Sequence, residues 1–71
     1  SKEELRGYVD DLYRAYTAAF GMPSCAVSRM KAHWFYLLPR FAGAAALEKP
    51  LRKAREGWEY ETVVGQIFAG R

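Results

Sequence analysis

The sequence predicts an all-α fold, a small four-helix bundle. Three observations point to it. Apolar residues recur at i+3 and i+4 spacing along nearly the whole chain. No window shows the period-two alternation of a half-buried strand. Glycines and prolines stand singly where the pattern breaks, which leaves four helical segments joined by short links.

The first helix is expected over residues 2–20. Ser1 can cap it, and Glu3 and Glu4 suit the positive end of the helix dipole. Leu5, Tyr8, Val9, Leu12, Tyr16, Ala19 and Phe20 fall on one face and are expected to point inward. Gly21 can end the helix in a left-handed cap, and Pro23 delays a restart. Ser24 then caps a second helix over residues 25–38, with Val27, Met30, Trp34, Leu37 and Leu38 as its core stripe. Pro39 ends or kinks that helix, and Phe41 sits where the stripe would continue. The third helix is expected over residues 44–55, lined by Ala44, Leu47, Leu51 and Ala54. Pro50 lies well inside it, which calls for a kink or a late start near Leu47. Gly57 breaks the pattern. A fourth helix follows over residues 58–69, with Tyr60, Val63, Val64, Ile67 and Phe68 inward and Gly70 as a stop.

Length allows one domain, since the chain has 71 residues and 8.1 kDa. Hydrophobic residues make up 51% and charged residues 27%, a globular rather than a disordered balance. The one cysteine, Cys25, excludes an internal disulfide, and a cytoplasmic setting is the resulting expectation. Residues 1–20 lack the apolar stretch of a signal peptide, and the run Phe41 to Leu47 is too short to span a bilayer, so no membrane is expected. A flavin barrel or a dinucleotide-binding sheet needs far more chain. Any enzyme that contains this sequence would use it as an accessory domain. With Ser rather than Met at position 1, the chain reads as part of a longer protein.

Net charge is +3, unevenly spread. Arg29, Lys31, Arg40, Lys49, Arg52, Lys53 and Arg55 face Glu48 alone between positions 23 and 55, giving that block +6. The flanking segments carry −1 and −2. A basic block between acidic ends suits a polyanion partner, although a plain solvated surface would carry the same charge.

On the second helix Arg29, His33, Tyr36 and Arg40 fall within about 60° of one another, away from the core stripe, with Lys31 on the flank. Arginine pairs with phosphate or stacks on a base, and tyrosine and histidine stack or donate. Arg52, Lys53 and Arg55, with Lys49, add a basic third helix. If the two helices are neighbours they form one positive surface. Taken singly, His33 reads as a surface or partly buried histidine and Tyr36 as a ring covering an apolar edge. Trp34 and Trp58 read as core, and Cys25 as a small buried residue. Glu56, Glu59 and Glu61 cluster near a helix start, where the dipole favours them without acid–base chemistry. No catalytic residues and no metal-ligand set are expected in this chain.

From about Ala15 to Gly70 the chain resembles the C-terminal helical domain of the tRNA-dihydrouridine synthases. The segments that carry the resemblance are Tyr16 to Gly21, Arg29 to Leu38, Phe41 to Ala44, Leu51 to Arg55, Glu59 to Glu61 and Ile67-Phe68. Pro50 and Gly57 depart from the pattern. The resemblance implies a two-domain enzyme. An N-terminal flavin barrel would use FMN and NADPH to reduce a uridine of tRNA, with the catalytic cysteine in the barrel rather than at Cys25. The helical domain would be monomeric and would grip tRNA. Its RNA-facing positions would be Arg29 and Lys31, with Arg52, Lys53 and Arg55 also matched. Two other readings compete with this one. One is a stand-alone helical module whose basic face meets an acidic protein. The other is a DNA-binding bundle, disfavoured because no helix-turn-helix turn is evident.

Overall fold

A computed structural model of the chain describes residues 1–69. It is a small all-α bundle, with no strand among the described residues. The helices are α1 (Lys2–Phe20), α2 (Pro23–Leu37), α3 (Glu48–Lys53) and α4 (Gly57–Phe68). Two short 3-10 turns, Leu38–Arg40 and Ala45–Leu47, lie between α2 and α3.

α1 forms over the expected span. The Glu4 N–H donates to Ser1 Oγ at 3.2 Å, and the Ser1 backbone nitrogen donates to Glu4 Oε1 at 3.0 Å. This reciprocal pair satisfies donors that a helix start leaves free. Gly21 closes the helix at φ 73°, its N–H on the Thr17 carbonyl at 2.8 Å. The inward face is narrower than expected. Val9 is buried, and Leu5, Leu12 and Tyr16 pack partly against the core. Tyr8, Ala19 and Phe20 are exposed instead. Tyr13 is the inward ring not anticipated, 4.7 Å from Tyr60. The physical reason is that α1 packs mainly along one neighbour, α2, so only a thin stripe is covered.

α2 starts two residues before the expected position. Pro23 is its first residue and Met22, in extended conformation, is the cap. Ser24 therefore is not the cap. Proline suits a first helical position because its fixed φ is already helical and its missing N–H has no partner there. α2 ends at Leu37, and Pro39 tightens the chain into a 3-10 turn. Phe41 leaves the helix in extended conformation. It still reaches the core, 5.8 Å from Trp34 and edge-on to Phe68 at 5.2 Å.

α3 is much shorter than residues 44–55. It starts late, after Leu47, as Pro50 suggested. A helix begun at Ala44 would set the Pro50 ring against the carbonyl one turn back. Begun at Glu48, it places Pro50 in the first turn, where no backbone donor is missed. Ala54 is already extended, so Ala54 and Arg55 lie beyond the helix. α4 begins at Gly57 and runs to Phe68, with Glu56 as its cap, and the expected stop at Gly70 lies outside the described residues. Gly57 has a steric role. A Cβ there would come 2.8 Å from Tyr13 Oη and 3.1 Å from Pro23 Cβ.

The core centres on Trp34 and Tyr60, both nearly fully buried. Trp34 Nε1 donates to Tyr60 Oη at 3.0 Å, which satisfies the one polar atom that the indole brings inside. Burial pushes the Tyr60 phenol up to about 12. Tyr60, Val63, Val64, Ile67 and Phe68 all point inward as expected. Trp58 does not. It is 69% exposed on the first turn of α4. Cys25 is also exposed, not buried.

Candidate nucleic-acid interface

The eight residues singled out in sequence divide into three places. Arg29 and His33 face α1. The Arg29 guanidinium lies 5.4 Å from the centre of the Phe20 ring. His33 Nε2 is hydrogen-bonded to Tyr16 Oη at 3.0 Å, with the two rings tilted together. His33 is half-buried, so it joins two helices and offers little to a ligand. Arg40 has left the helix, because α2 stops at Leu37. It lines a shallow depression with Ser1, Lys2, Glu4 and Phe41, beside the start of α1. Of the single face expected from Arg29, His33, Tyr36 and Arg40, the first three still share one side of α2, and only Arg40 has left it. Tyr36 remains on the surface, 76% exposed, with its ring edge-on to Phe35 at 5.2 Å.

The third place gathers the cations. Lys31 lies about 200° around α2 from Arg29, on the side of α3. Its ammonium donates to the Arg52 carbonyl at 2.7 Å. That bond satisfies one carbonyl at the end of a short helix and places a cation where the helix dipole is negative. Arg52, Lys53 and Arg55 follow one another around the same end of α3. Arg52 pairs with Glu48 at 3.6 Å, but both side chains are exposed and the pair is weak. Among the described residues, Lys49, Lys53 and Arg55 make no side-chain ion pair. α2 and α3 thus meet at the bond from Lys31 to the Arg52 carbonyl, and the Arg52, Lys53 and Arg55 side chains are exposed at and just beyond that end of α3.

Glu59 borders this surface. Its Oε1 accepts from the Glu56 and Arg55 backbone N–H groups, each at 2.9 Å. These two donors hold its carboxyl below the usual carboxylate range, and the nearby charges of Arg55 and Lys31 act in the same direction. Glu56 and Glu59 thus serve the start of α4 and the chain entering it.

A groove of about 670 Å³ opens beside the cations, between the end of α2 and α3. Buried Trp34, Leu38 and Leu51 and exposed Phe35 line its apolar part, and Lys31, Arg52 and Glu48 are its charged lining residues. Phe35 is 75% exposed. Sequence reasoning passed over it. The available signal was its position between Trp34 and Tyr36, an aromatic lying outside the core stripe of α2. No three His, Cys, Asp or Glu side chains converge on a metal-sized space among the described residues. No helix among them is long and apolar enough to cross a membrane. No protein-family model, curated protein or solved structure matches the chain.

Proposed function

We propose that this domain binds folded RNA, gripping phosphates through Lys31, Arg52, Lys53 and Arg55. The observation that carries the reading is the Lys31 bond to the Arg52 carbonyl, which brings an α2 cation to the basic end of α3. Guanidinium and ammonium groups at this spacing neutralise a polyanion without reading its sequence. The resemblance to the C-terminal domain of tRNA-dihydrouridine synthases narrows the RNA to tRNA. In that setting the reduction of uridine, with FMN and NADPH, belongs to a separate N-terminal barrel domain. The helical domain holds the substrate for it.

The test is fluorescence anisotropy of the 71-residue chain with folded tRNA over a salt series, with duplex DNA of matched charge as control. tRNA is expected to bind more tightly, with affinity falling steeply as salt rises. Lys53→Ala and Arg55→Ala should each weaken binding and lower the salt slope by about 1. Equal affinity for the two nucleic acids, or binding indifferent to both substitutions, overturns the reading.

A further inference from the structure

We propose that the groove between α2 and α3 receives one unstacked nucleotide, its base lying on the Phe35 ring and its phosphate between Lys31 and Arg52. This rests on the RNA-binding reading above and adds a specific contact to it. Four observations converge. The groove, at about 670 Å³, is within the range of small-ligand sites, about 300–1,000 Å³. Its floor is apolar, through Leu38 and Leu51. Phe35 is 75% exposed and contributes little to the core, its ring edge-on to that of its neighbour Tyr36. Two cations, Lys31 and Arg52, line the groove against one carboxylate, Glu48, which pairs with Arg52 at 3.6 Å.

An aromatic ring beside cations is the arrangement by which proteins hold single-stranded nucleic acid. Every base has a π-face, and every nucleotide carries a phosphate a short distance from it. Lys31 uses one donor on the Arg52 carbonyl, and an ammonium has three. Two therefore remain for an anion. Arg52 likewise keeps donors free of its long contact with Glu48. A base-paired stem cannot use the groove, because its bases are stacked on one another. The groove therefore adds affinity only where RNA is unpaired.

The experiment compares two RNAs of equal charge, a single strand and a blunt duplex, binding to the 71-residue chain and its variants. Helical content by circular dichroism verifies that each variant folds. Phe35→Ala should lower affinity for the single strand about tenfold and leave the duplex unchanged. Phe35→Trp, which keeps a stacking face, should retain the single-strand affinity. If Phe35→Ala binds both RNAs as the parent does while Arg55→Ala weakens both, the groove proposal is overturned and the phosphate reading stands. If Arg55→Ala and Lys53→Ala also change nothing, both fall. An acidic amphipathic peptide that binds the parent chain and is lost in Phe35→Ala, with single-strand affinity unaltered, assigns the groove to a protein partner and overturns the nucleotide.

Discussion

The two flanks of α2 carry similar residues and put them to different uses. Toward α1, Arg29 lies on the Phe20 ring and His33 is bonded to Tyr16. Toward α3, Lys31 holds the Arg52 carbonyl and Phe35 stands in solvent. The difference lies in the neighbour. α1 has 19 residues and supplies rings opposite the α2 side chains. α3 has only six and leaves its side of α2 partly uncovered. The shortness of α3 traces to Pro50, which cannot lie deep in a helix and so delays its start. The comparison teaches that a helix flank facing a short partner keeps its side chains in solvent, where a long partner draws them into contacts.

The largest expected effect concerns the core that both flanks share. Burial pushes the Tyr60 phenol up to about 12 in the folded chain, against an ordinary value near 10 when unfolded. A raised phenol favours the neutral form in the folded state. Its contribution is fully present below pH 10 and is lost as pH rises toward 12. Stability should therefore fall by about 2–3 kcal/mol over that window, read by urea denaturation at stepped pH. Tyr60→Phe should flatten much of this slope. It should also cost about 1–3 kcal/mol at neutral pH, because the Trp34 N–H loses its acceptor. A Tyr60→Phe profile as steep as the parent's would remove this account of the core.

The next effect separates the flanks. His33→Ala should cost about 1 kcal/mol of stability, through the lost bond to Tyr16, and leave RNA affinity unchanged. Arg55→Ala should do the reverse. Paired urea titrations and anisotropy measurements on the two variants check this. RNA binding lost in His33→Ala with intact stability would place the interface on the α1 flank instead.

The smallest effect is that of Arg29→Ala. Its guanidinium rests on a half-exposed ring, worth about 0.5–1 kcal/mol, and points away from the α3 cations. Its effect on tRNA affinity should be well below that of Lys53→Ala. Equal losses in the two variants would mean that RNA wraps across both flanks of α2.

Much of this molecule could be read before its structure. The 3.6-residue period located α1 and α4 almost to the residue, and Gly21 marked a true left-handed cap. Pro50 pointed correctly to a late start for α3. The site was legible in composition but not in arrangement. Lys31, Arg52, Lys53 and Arg55 were named together with Arg29, His33, Tyr36 and Arg40, and the sequence did not show that Arg29 and His33 contact α1 while Lys31 reaches the α3 backbone. A helical wheel records angles around one axis, but it carries no information about which neighbour occupies each angle. For the same reason Trp58 and Cys25 were placed inside when both lie outside.

The residue pattern by itself determined that this protein is helical, where most of its helices begin and end, and that its cations concentrate in the middle of the chain. Those properties depend on local sterics, backbone hydrogen bonds and the spacing of apolar side chains, all encoded within a few residues. Tertiary structure decided that Lys31 reaches the α3 backbone, that His33 is bonded to Tyr16, and that Phe35 is left beside an open groove. Each of these depends on the distance between segments remote in sequence. That distance is set by the packing of Trp34, Tyr60 and Phe68 into one core, and by how far each helix extends over it.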